Sequence, residues 1–110
     1  ECNHWIIVMP EYNGTFPGIL KLFLDACSVR NYNKTFVGKK IWMIGLGSGR
    51  GGNLRGIDHL STAMLYMGCH IFPKSMPISN IGQVISEDGH ILVDQIANDL
   101  EVLLSEFENF

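Results

Sequence analysis

No run of Lys or Arg occurs anywhere in the chain, and its 8 basic residues are outnumbered by 11 acidic ones, for a formal net charge of −3. That balance, with no zinc-finger or RNA-binding signature, leaves no electrostatic footprint for nucleic acid. Cysteine is scarce. Cys2, Cys27 and Cys69 are odd in number, widely spaced and without a C-x-x-C pair, so we expect reduced thiols in a cytoplasmic protein, not a disulfide frame. His4, His59, His70 and His90 show no metal-ligand spacing with those cysteines, which gives no metal site. No apolar run approaches the ~20 residues that cross a bilayer, and no signal-peptide pattern is present, so we expect no membrane partner.

What is there is enough for one domain: 110 residues, 46% of them hydrophobic. His4-Trp5-Ile6-Ile7-Val8-Met9 is an unbroken apolar run of strand length. A run apolar at every position predicts a strand covered on both faces, as in a parallel sheet between helices. It leads through the polar turn Pro10-Glu11-Tyr12-Asn13-Gly14 to Pro17, which suits a first helical turn. A helix follows, with Leu20, Phe23, Leu24 and Cys27 predicted on one face and Lys21, Asp25 and Ser28 on the other. Residues 29–40 have no clear period and read as loop. Residues 41–46 form a second apolar run, and the helix after residue 53 places Leu54, Ile57, Leu60, Met64 and Met67 on its apolar side, with Asn53 as N-cap and Gly68 as terminator. A third, shorter strand is expected over 69–73, an irregular segment over 74–89 with a turn at Asp88-Gly89, and a last helix burying Val93, Ile96, Leu100, Leu103, Leu104 and Phe107. Strand, helix, strand, helix, strand, helix is the order of an α/β fold with a parallel sheet.

The turn at the carboxyl end of such a strand is where open α/β sheets bind ligands. Exposed backbone amides beside the ring of Tyr12 suit a flat heteroaromatic molecule. The second loop, Gly47-Ser48-Gly49-Arg50-Gly51-Gly52, formally satisfies G-x-G-x-x-G between a strand and a helix. A dinucleotide fingerprint also wants an acidic residue at the end of the next strand, yet no Asp or Glu occurs from Cys69 through Ser86. A Rossmann-type NAD-binding module is therefore the second reading. A Walker phosphate loop fails because no Gly-Lys-Ser/Thr follows. His59 beside Asp58 reads as a surface residue, and no nucleophile or general-base constellation is found.

Both loops together carry a resemblance. Pro10-Glu11-Tyr12-Asn13 closing a strand, Pro17-Gly18 with Leu20-Lys21 and Asp25, and Phe36-Val37-Gly38-Lys39 before the next strand resemble the NADPH-dependent FMN reductase family. Gly49-Arg50-Gly51-Gly52, His59-Leu60 and Asp88-Gly89 extend the likeness over nearly the whole chain. The resemblance implies a flavodoxin-like open parallel sheet with helices on both faces, missing its first strands. It implies FMN contacts from Pro10, Glu11, Tyr12 and Asn13 and from Ser48, Gly49, Gly51 and Gly52, with NAD(P)H as electron donor and a quinone, azo compound, flavin or metal oxyanion as acceptor. No catalytic side chain is implied, since hydride chemistry belongs to the flavin. A homodimer or tetramer is also implied.

The family's phosphate-binding loop, after its first strand, has no counterpart in these residues. Residues 1–110 are therefore expected to be the C-terminal portion of a single flavodoxin-like FMN reductase domain, inactive alone, whose missing N-terminal part would pair with the open apolar edge of residues 5–9. An electron-carrier or interaction domain without reductase activity is the reading from a different class.

Overall fold

In the computed structural model, which describes residues 2–110, four strands form one parallel sheet. β1 (His4–Pro10) and β2 (Lys40–Leu46) pair over their full lengths, from His4 opposite Lys40 to Pro10 opposite Leu46. The other side of β2 is shared. β3 (His70–Ile71) pairs with its start and β4 (Met76–Ile78) with its end. The third strand expected over 69–73 is thus cut to two residues, and part of the segment expected to be irregular returns to the sheet as β4. Pro73 accounts for the break, because it has no N–H for the ladder.

Alternation along β1 and β2 sends side chains to two cores. Met9, Ile41 and Met43 pack with Leu24 of α1 (Gly18–Cys27), Phe36 of α2 (Tyr32–Phe36) and Ile57, Leu60 and Met64 of α3 (Leu54–Tyr66). On the opposite face Trp42, Ile44, Phe72, Met76 and Ile78 pack with Val84 of α4 (Ile81–Val84) and Phe107 of α5 (Asp94–Glu108). Helices therefore cover both faces.

Several expectations change here. Residues 29–40 are not all loop: α2 lies among them, and Phe36 is fully buried with its ring 6.0 Å from that of Trp5. A five-residue helix is too short to display a 3.6-residue period. Phe23 is 61% exposed in spite of its apolar spacing, as are neighbouring Ile19 and Leu22, and Leu54, Val93 and Leu104 are exposed too. β1 is buried on one face only. Ile6 and Val8, on the face opposite Met9, are 46% and 55% exposed: α5 meets the start of β1, where the His4 ring lies edge-on to Phe107 at 5.2 Å, and leaves a cleft between Ile6 and Leu104. Among the described residues β1 pairs with β2 alone, so its outer edge is open. The Asp88-Gly89 turn is present, with Gly89 at φ 87° and a bridge between Ile85 and Ile91.

The three cysteines are free. Cys69 is buried under α2 and donates to the Phe36 carbonyl at 3.3 Å, and desolvation pushes its thiol pKa up. It is a core residue without thiolate character.

Candidate functional site

β1 and β2 end side by side, so the loops that leave them are held close by the register itself. Glu11 extends the ladder one step, its amide donating to the Leu46 carbonyl at 2.8 Å. The chain then reverses at once. Tyr12 and Thr15 exchange backbone hydrogen bonds of 2.9 and 3.2 Å, and the two residues between them, Asn13 and Gly14, have φ of 52° and 84°. Two positive φ values in a two-residue loop are the type I′ pattern, for which Asn-Gly is the preferred pair. The turn is fixed further by a 2.9 Å hydrogen bond between Thr15 Oγ1 and His59 Nδ1. His59 is exposed and serves as this brace.

The glycine loop is folded back tightly on β2 and β4. A Cβ on Gly45 would lie 2.5 Å from the Gly52 carbonyl oxygen, and one on Gly52, itself at φ 57°, would lie 2.8 Å from the amide nitrogen of Ile78. Four hydrogen bonds hold the loop from the β4 side. Gly47 donates to the Ile78 carbonyl at 3.0 Å, the Ile81 and Asn80 amides donate to the carbonyls of Gly47 and Gly49 at 2.9 Å, and Ser79 Oγ donates to the Arg50 carbonyl at 2.5 Å. The carbonyls of Gly47, Gly49 and Arg50 are thereby occupied. The loop's amides are not: those of Ser48, Gly49, Arg50 and Gly51, like those of Asn13 and Gly14 across the gap, donate to no acceptor among the described residues.

Asn53 departs from its expected role. It stands at the N-cap position of α3 with φ 60°, yet makes no cap hydrogen bond. Its side chain crosses to β1 and donates from Nδ2 to the carbonyls of Met9 at 3.2 Å and Pro10 at 3.0 Å. A left-handed residue cannot have the extended backbone that directs an N-cap side chain at its own helix.

Between the loops lies an open cleft of about 540 Å³, lined by Glu11, Gly14, Gly49, Arg50, Gly51, Leu54, Arg55 and Asp58. Of the predicted contacts, Glu11, Gly49 and Gly51 come together there. Pro10 and Tyr12 line a neighbouring apolar cleft with Val8, Met9, Pro17, Ile19, Leu20 and Phe23. Ser48 and Asn13 are exposed and line neither cleft, and Gly52 is buried beneath the loop. Sequence reasoning missed Gly14, Leu54, Arg55 and Asp58 as lining residues. Leu54, Arg55 and Asp58 lie in the first turns of the helix that follows the glycine loop, with Leu54 and Asp58 at i and i+4 on one face, and that was the available signal. Two cations, Arg50 and Arg55, and two anions, Glu11 and Asp58, balance formally in the cleft.

The cleft fits a flat ring system. Gly49 and Gly51 have open space where a Cβ would stand, the amides of four lining residues (Gly14, Gly49, Arg50 and Gly51) are free to donate, and Tyr12 is 60% exposed at the side. Its volume lies within the ~300–1,000 Å³ range of ligand sites.

A parallel sheet with helices on both faces and two adjacent loops at its carboxyl edge defines an open α/β protein. The family model for NADPH-dependent FMN reductase matches residues 1–83, and the chain belongs to that family. The solved structure of FerB, a flavoenzyme NAD(P)H:(acceptor) oxidoreductase from Paracoccus denitrificans, is similar with a TM-score of 0.71 at 24% identity. That likeness establishes the flavodoxin-like fold. It covers 93% of this chain and 57% of FerB, so the chain spans little more than half the length of that neighbour. A comparison with curated protein sequences returns no match.

Proposed function

We propose that the protein is an FMN-dependent NAD(P)H oxidoreductase and that the cleft between residues 11–14 and 49–51 holds the flavin ring. The observation that carries this reading is the set of free amides on residues that line the cleft, Gly14 on one wall and Gly49, Arg50 and Gly51 on the other, where Gly49 and Gly51 leave open space. Bound FMN supplies hydride acceptance and release. The chain's part is to bind and polarise: amide donors stabilise negative charge that develops on a ring they touch. Of the contacts the resemblance implies, Glu11, Gly49 and Gly51 line the cleft directly, Pro10 and Tyr12 flank it, Asn13 and Ser48 stand at the exposed tips of the two loops, and Gly52 supports the glycine wall from beneath. Family membership favours this reading over a Rossmann NAD module, whose acidic ribose ligand the sequence lacks. The acceptor proposed is small: a quinone, azo compound, free flavin or metal oxyanion.

The test is the visible spectrum of the full-length protein with FMN, before and after anaerobic NADPH. The expected result is bound-flavin absorbance that bleaches on NADPH. Flavin bound but unbleached would make the protein a carrier, and no flavin bound would sink the assignment of both loops.

Two exposed apolar surfaces bear on partners. Ile6 and Val8 beside the open β1 edge match the place of a further strand and helix of the domain, and we propose that an N-terminal part covers them. Tyr12, Ile19 and Phe23 form a second apolar surface suited to a homodimer or tetramer. Sedimentation of the full-length protein as an oligomer that leaves anilinonaphthalene sulfonate dark is the expected result. A monomer that lights the dye would contradict both.

A further inference from the structure

We infer that Asn53 is a positioning residue that sets the width of the flavin cleft, an inference that rests on the flavin reading above. Asn53 lies at the end of the glycine loop and is 1% exposed. Its Nδ2 spends both protons on β1, at Met9 and Pro10, the last two residues before the Glu11 turn. It is a side-chain crosslink between the two walls, placed where the backbone ladder ends. Among the described residues only the Glu11 amide, on the Leu46 carbonyl, continues the ladder past β1.

The surroundings are shaped to this side chain. A Cβ on Gly56 would fall 2.2 Å from Asn53 Oδ1, so a side chain there would expel it. Asn53 Oδ1 itself has no hydrogen-bond partner among the described residues, although it is buried. An unpaired buried oxygen carries a desolvation cost, as does the left-handed backbone at φ 60°. The two hydrogen bonds from Nδ2 are what offset both costs. They grip two carbonyls of β1, so the Glu11 turn cannot drift from the Gly49 wall. Oδ1 offers nothing to the cleft, and Asn53 does not line it. It acts on the flavin only through the loops.

Asn53→Gly tests this, because glycine accepts the same φ and removes both hydrogen bonds without new strain. Asn53→Asp keeps the shape and the tolerance of positive φ but turns an oxygen toward the two carbonyls. Leu60→Ala, a buried core residue of α3 that lines neither cleft and makes no bond to the loops, matches any general loss of stability. FMN affinity and amide exchange are measured on the full-length protein. In Asn53→Gly the Glu11 amide should exchange about tenfold faster and FMN should bind about tenfold more weakly, the scale of a lost pair of hydrogen bonds. Amides of Met43 and Ile44 should be unchanged, and Asn53→Asp should be worse than Asn53→Gly.

Equal FMN affinity in Asn53→Gly and wild type would overturn the inference. So would an Asn53→Asp variant that behaves as wild type, since Asn53 would then be filling space only, or a loss of affinity no greater than that of Leu60→Ala. Wild-type protein that binds no FMN would instead sink the flavin reading, and the crosslink would be decided by the Glu11 exchange rate alone.

Discussion

Replacing Gly52 by Ala should cost roughly 2–5 kcal/mol, combining a left-handed backbone that L-residues resist with overpacking against neighbours that cannot yield. The neighbours are backbone: a Cβ at Gly52 would meet Ile78 N at 2.8 Å, Pro77 C at 2.9 Å and Ile78 C at 3.0 Å. A flexible side chain could swing away from such a contact; β4, bonded to β2 on its other side, cannot. Relief would have to come from the glycine loop, which would lift off the sheet and loosen the Gly47 and Gly49 bonds to residues 78–81. Urea denaturation should show the loss as a lower midpoint at unchanged slope. Gly51→Ala is the internal control, because its Cβ would enter open space at a φ that is not positive. That change should fall within about 0.5 kcal/mol of wild type. An unchanged midpoint in Gly52→Ala would mean the loop does not pack as described.

The contrast between these adjacent glycines separates what a sequence can reveal from what it cannot. The G-x-G-x-x-G spacing located the loop and its place between a strand and a helix. It gave no means of telling Gly52, needed for packing, from Gly49 and Gly51, which border the cleft. That distinction depends on β4, a three-residue strand behind Pro73 with no period of its own. Asn53 is similar. Its type and place before an apolar helical face fitted an N-cap, and only the parallel register of β1 with β2 brings the Met9 and Pro10 carbonyls within its reach. The two long strands and three long helices were legible because burial writes a period into them. The short elements, α2, β3, β4 and α4, were blurred because two to five residues hold too little of any period. The exposure of Ile6, Val8 and Phe23 was hidden for a different reason: apolar side chains read as core whether the surface that covers them lies in the same residues or elsewhere.

Phe107→Ala should be the other large effect, a loss of about 3–5 kcal/mol, as for a buried aromatic truncated to a methyl group. Phe107 is 2% exposed and sits among four rings, at 5.2 Å from His4, 5.9 Å from Trp42, 5.5 Å from Phe72 and 6.4 Å from Phe110. No other buried residue of α5 fastens the helix to the sheet; Ile96, Leu100 and Leu103 pack only partly. The cavity would open between three elements and could not collapse without moving α5. Its position matters for function. His4 opens β1, so this ring cluster lies at the amino end of the strands, whereas the cleft lies beyond Pro10 and Leu46 at the carboxyl end. Below its lowered melting temperature, Phe107→Ala should therefore bind FMN within about threefold of wild type, since distant sites are usually independent. Asn53→Gly should do the reverse, with a modest loss of stability and a large loss of affinity. A Phe107→Ala protein that stays folded but binds no flavin would mean that α5 supports the cleft through the sheet, and the separation of scaffold from site would fail.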